Sequence, residues 1–171
     1  MTPEEAKRFY FEYNGFSFHM GREEPSRYNA FRALDIDPDT LKRWDEELIR
    51  NSFEKLWSDP ERAWAVHGTI LDIIRRKNCD VRRELSRLLG EMEKMDSLSC
   101  SSITLILENM AGRTESLKDG GVILFSGYPS LGVRMQKVTD KLIAAGIATG
   151  EADERFRKAA GRYRSACTKW L

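Results

Sequence analysis

Apolar residues along this chain recur at the spacing of helices rather than of strands. Thr2-Pro3-Glu4-Glu5 places an N-cap, a proline at the first helical position and a Glu at the third, which is a capping box. Ala6, Phe9, Tyr10 and Tyr13 follow at i, i+3, i+4 and i+7, and Asn14-Gly15 supplies a left-handed stop. Asn-Gly between aromatic runs is also a hairpin signal, but box and stripe agree on a helix. Asp37-Pro38 and Asp59-Pro60 repeat the starting grammar. Behind the first, Leu41, Trp44, Leu48, Ile49, Leu56 and Trp57 hold a stripe, with Phe53 beside it. Behind the second, Ala63, Trp64, His67, Ile70, Leu71 and Ile74 do the same, and Asn78 is the stop.

Asp80 opens a further helix with Val81, Leu85, Leu88, Leu89, Met92 and Met95 inward. This run resembles one helix of a HEAT-type repeat, but no second copy recurs at the required spacing of about 40–47 residues, so no array is expected. From Ser99 to Ala111 the chain is apolar on nearly all sides, which predicts the central buried helix. Its β-branched content leaves a two-stranded alternative, 103–107 paired with 122–125. Residues 112–129 contain Gly112, Gly120, Gly121, Gly127 and Pro129 and read as an internal loop, with the helix start near Ser130 a candidate anion site. Leu131, Met135, Val138, Leu142 and Ala145 mark a helix closed by Gly146, and Phe156, Ala160, Tyr163, Cys167 and Trp170 mark the last one. The expectation is a single all-α domain over 1–171, a bundle or irregular array of about eight helices. A small α+β fold is the alternative.

Composition narrows the class. The chain has 171 residues, 28 Lys+Arg and 27 Asp+Glu, for a formal net charge of +1. Its 41% hydrophobic content is too high for a disordered tail, and its 32% charged content is too high for a membrane span. The longest apolar runs, such as Val122–Phe125, fall far short of the roughly 20 residues of a spanning helix, so no transmembrane segment is expected. The acidic N-terminus shows no secretory signal. Cys79, Cys100 and Cys167 are odd in number and unpatterned, which fits a reducing cytoplasm. The +1 also hides a separation: residues 1–60 carry nine basic and thirteen acidic side chains, and residues 61–171 carry nineteen and fourteen.

Motif-marked chemistry is scarce. The chain has no phosphate-binding GxxxxGK[ST], no GxGxxG, no HExxH and no GxSxG, and it lacks the Glu-x-x-His pairs of di-metal bundles. No cofactor and no metal are expected. One candidate centre is the segment from Phe16 to Glu24, read as a loop between helices. There His19 can serve as base or ligand and Glu23 can orient it. The plainer reading has Phe16 and Phe18 anchoring that loop. His67, on the apolar stripe of its helix, reads as a hydrogen-bonded core histidine unless it converges with His19 and a carboxylate.

Two basic clusters complete the picture. Arg75, Arg76, Arg82, Arg83 and Arg87 straddle one helix turn, and Arg155, Arg157, Lys158, Arg162 and Arg164 surround the last apolar stripe. Such helices meet phosphates or acidic proteins. The expected function is a cytoplasmic, bacterial helical module that binds another protein, with no reaction assigned. Nucleic-acid binding through helices 75–87 and 155–169 is the alternative, and a hydrolase or metal-assisted enzyme centred on His19 and His67 is a third reading.

Overall fold

A computed structural model describes residues 1–76, 79–94, 98–116, 129–146 and 150–168. Every regular element among them is an α-helix, and they hold no strand. In chain order these are α1 (Pro3–Glu12), α2 (Ser17–Glu23), α3 (Pro25–Arg32), α4 (Pro38–Ser58), α5 (Ala63–Arg75), α6 (Arg82–Lys94), α7 (Cys100–Ser116), α8 (Pro129–Ala145) and α9 (Gly150–Thr168). The all-α expectation therefore holds. Residues 103–107, one half of the two-stranded alternative, lie inside α7. Residues 122–125 lie outside the described residues, as do Asn78, Met95 and Trp170.

Contacts divide the chain into two compact units, Met1–Arg50 and Asn51–Leu171, with the division falling inside α4. In the first unit the capping box forms as its residue types require. Glu5 N–H donates to Thr2 Oγ1 at 3.2 Å, and Thr2 N–H donates to the Glu5 carboxylate at 2.7 Å. The Thr2 amide holds the Glu5 carboxyl below its ordinary range. Asn14 and Gly15 adopt positive φ, 50° and 70°, and Gly15 N–H closes onto Tyr10 C=O at 2.8 Å. Ala6 and Phe9 are fully buried, and Phe9 meets the rings of Tyr13 and Phe31 edge-on. Tyr10 stacks on Phe31 and donates to Asp45 Oδ1 at 2.8 Å, which ties α1 to α4.

The expected loop from Phe16 to Glu24 is corrected: Ser17–Glu23 is α2. Its buried anchor is Met20, whereas Phe18 is 70% exposed and anchors nothing. Nothing in the local sequence announces this helix. It is seven residues long, and its N-cap, Phe16, makes no side-chain capping bond.

In the second unit α7 packs most extensively on α9 and next on α5, while α6 packs on α8. The central role expected for 99–111 is thus met by a helix that continues to Ser116. Residues 112–116, the start of the expected internal loop, are accordingly helical, and its continuation over 117–128 lies outside the described residues. Ile103, Ile106, Leu107, Met110 and Ala111 face inward from α7, and Leu85, Leu88, Leu89 and Met92 from α6. Phe156, Ala160 and Tyr163 supply the buried side of α9. Two buried hydroxyls find carbonyl acceptors. Ser102 Oγ donates to Pro60 C=O at 2.7 Å, and Thr139 Oγ1 to Met135 C=O at 2.9 Å.

Candidate interaction surface

The two histidines do not form a common cluster on any single element. His19 sits on α2 in the first unit, exposed, with Nδ1 3.3 Å from Glu23 Oε1 one turn on. Arg22 donates to the same oxygen at 2.9 Å. Glu23 is held below the ordinary carboxylate range, first by Arg22 and then by His19. The pairing expected for His19 and Glu23 is therefore present, but as an exposed i,i+4 contact rather than a pocket.

His67 overturns its expectation. It is exposed on α5, not part of the core, and its Nδ1 lies 2.7 Å from Asn109 Oδ1 on α7. Asn109 Nδ2 donates to Leu105 C=O at 2.8 Å, which fixes the amide so that its oxygen faces the imidazole. Nδ1 then carries the proton in this pairing. The Asp72 carboxylate of α5 and the Glu108 carboxylate of α7 are engaged by arginines. Asp72 pairs with Arg76, and Glu108 with Arg155. Among the described residues no group of three or more His, Cys, Asp or Glu side chains is placed to hold a metal ion.

The cations of the two basic clusters differ in exposure and in the ion pairs they make. Arg76 is 7% exposed and donates to Asp72 Oδ1 at 2.6 Å inside the unit, so it offers nothing to a partner. Ser52 Oγ also donates to that carboxylate, and Thr69 Oγ1 donates to Ser52 C=O at 2.9 Å. On α9 Arg155 forks onto Glu108 at 2.7 and 2.8 Å, Arg157 reaches Asp153 at 2.7 Å, and Arg164 pairs with Asp140. Arg155 holds the Glu108 carboxyl below its ordinary range. On α8 Arg134 and Lys141 share Glu93, which they likewise hold low, Lys141 contributing more.

Arg75, Arg82, Arg83 and Arg87 remain exposed. Asp80 Oδ1 caps α6 by accepting from Arg82 N–H at 3.0 Å. The Arg87 guanidinium lies 4.7 Å from the centroid of the half-buried Trp57 ring, and Trp57 stacks on Phe53. Arg83 stands one turn before Arg87 on the same side of α6. Sequence reasoning assigned Trp57 wholly to the core. Its half-exposed face becomes visible only once α6 lies against the end of α4.

A second feature lies between α7 and α9, where a groove of about 470 Å³ is lined by Glu108, Glu151, Glu154, Lys158 and Arg162. Buried Ala159 forms part of its lining, and Arg155 spans it toward Glu108. No helix among the described residues is long and apolar enough to cross a membrane. Compared with family models, curated proteins and solved structures, the chain matches none of them.

Proposed function

We propose that this chain is a protein–protein interaction module, with no reaction assigned, whose second unit presents the outer side of α6 to an acidic segment of its partner. The observation that carries this reading is the Trp57–Arg87 pair, with the guanidinium 4.7 Å from the ring centroid and Arg83 beside it. Tryptophan and arginine dominate the energetics of protein interfaces. A guanidinium is also more weakly hydrated than an ammonium, so covering it costs less. Stacking on Trp57 fixes Arg87 before any partner arrives, which lowers the ordering cost of binding. The internal pairing of Arg76, Arg155, Arg157 and Arg164 weighs against nucleic acid, because it leaves few of the expected phosphate contacts available. Free thiols at Cys79 and Cys100 fit the reducing cytoplasm as the place of action.

The test begins with recovery of a stoichiometric partner from native cells in mild salt, followed by reconstitution from purified components. Arg83→Ala and Arg87→Ala weaken the reconstituted complex on the order of tenfold or more. Arg157→Ala leaves it intact. Steeply salt-dependent binding to random duplex DNA, lost in the same two variants, would replace the protein partner with nucleic acid.

A further inference from the structure

The exposed stripe of α9 that borders the α7 groove is acidic at its start and basic at its end. Glu151 and Glu154 come first, then Lys158 and Arg162, and all four are exposed. At 1.5 Å rise per residue, Glu151 lies about 16 Å before Arg162 and Glu154 about 6 Å before Lys158. The centres of these two spans lie half a residue, about 0.75 Å, apart. A two-fold axis crossing α9 midway between positions 156 and 157 sets Glu151 opposite the second copy's Arg162. The same axis, shifted by about 0.75 Å, sets Glu154 opposite the second copy's Lys158.

The geometry points to a second copy of this chain as the occupant of this face, docked antiparallel, α9 on α9. A two-fold interface must be self-complementary, because each residue pairing occurs twice. This stripe meets that condition at both pairs with the axis displaced by only about 0.75 Å between them, an offset that long Glu, Lys and Arg side chains absorb. Arg155, the cation that would otherwise crowd Lys158 across the axis, is drawn aside by its fork onto Glu108. Arg162 lines the same groove as Glu108 and favours its charged form. The groove provides room for side chains of the second copy beside Ala159. Because the pairs are exposed, the dimer is weak and salt-sensitive, and the Debye length of about 10 Å at 0.1 M sets where it fades. This surface is separate from the outer side of α6, so Arg83→Ala and Arg87→Ala leave the dimer unchanged and the two ideas fail independently.

Sedimentation equilibrium of the full chain at low ionic strength, with concentration raised toward about 1 mM, tests the proposal. The wild type self-associates to a dimer, and added salt loosens it on the order of tenfold. Glu154→Lys sets lysine against lysine across the axis, and Lys158→Glu sets glutamate against glutamate. Each variant alone is weakened on the order of tenfold, an equimolar mixture of the two forms the heterodimer, and the double variant E154K/K158E dimerises again with reversed polarity. Unchanged circular dichroism and melting show that each variant is folded. A wild type that stays monomeric overturns the proposal. So does a dimer indifferent to either single change, or one that neither the mixture nor the double variant restores.

Discussion

Replacing Gly15 with alanine isolates how tightly the first unit is closed, because Gly146 offers a matched control. Both glycines end helices at positive φ, 70° and 62°. A side chain in that region costs roughly 1–2 kcal/mol, offset by about 0.4–1 kcal/mol of lost freedom in the unfolded chain. At Gly146 no atom lies within 4 Å of an added Cβ, so the net cost of Gly146→Ala stays near 1 kcal/mol. At Gly15 the added Cβ would come within 2.8 Å of Tyr10 Cζ and Oη. Tyr10 cannot yield cheaply, since its ring stacks on Phe31, tilts against Trp44 and donates to Asp45. Losing that charge-assisted hydrogen bond alone costs about 1.5–3 kcal/mol. Gly15→Ala should therefore cost about 2–4 kcal/mol, and visibly more than its control. Native-state hydrogen exchange reads each unit separately, through amides of α1 and of α8. Equal losses of protection at the two sites would refute the assignment of the extra cost to Tyr10.

Arg76→Ala strands the Asp72 carboxylate inside the second unit and should cost about 3–5 kcal/mol by urea denaturation, with Asp72→Asn on that background recovering part of it. Glu108→Gln should destabilise the α7–α9 pairing by at most about 1 kcal/mol near neutral pH, since Arg155 is half exposed. The folded Glu108 carboxyl titrates below its ordinary 4.5, so its contribution is complete above that value and is lost as pH falls through the lowered one. The difference between wild type and Glu108→Gln should accordingly vanish in acid melts. Asn109→Ala should change stability by no more than about 0.5 kcal/mol, because the His67 it supports is exposed; a cost of several kcal/mol would contradict the placement of His67 at the surface.

What the chain revealed, and what it concealed, follows from how each helix meets its neighbours. On α6 and just before it every expected inward residue that is described, Val81, Leu85, Leu88, Leu89 and Met92, is buried, because one side of that helix is apolar and the other charged. On α1 the capping box and the left-handed stop needed no tertiary partner to be legible. α5 misled because apolar residues occupy most of its circumference, so periodicity does not say which side faces in. Its buried side runs through Ala65, Val66, Thr69, Ile70 and Ile73, and includes Asp72. The inward Thr69 and Asp72 are polar; Thr69 is satisfied by Ser52 of α4, which the local sequence does not show, and Asp72 by the same Ser52 together with Arg76 one turn on. That rotation moved His67 from the stripe to the surface. α2 escaped notice because a short helix without a capping side chain leaves no signal beyond one buried residue, Met20.

The pairing of the cations was hidden for a related reason. Counted along the chain, the second half is basic, and its cations look available. Counted in space, several of the acids that neutralise them come from other helices: Glu108 for Arg155, Asp140 for Arg164, Glu93 for Arg134 and Lys141. These partners lie one or two helices apart in sequence, so no local window contains both members. A linear charge balance thus overstates how much positive surface a helical array offers. The arginines on the outer side of α6 gain weight by this subtraction. Among them Arg87 is set apart by Trp57, whose ring holds it in place at the end of α4 while both remain open to solvent. A guanidinium fixed by an aromatic face keeps its outward N–H groups available at little further cost in side-chain entropy. Substituting Trp57 with leucine should for that reason weaken partner binding even though every arginine is retained, and binding undiminished in Trp57→Leu would mean that charge alone, without the aromatic support, selects the partner.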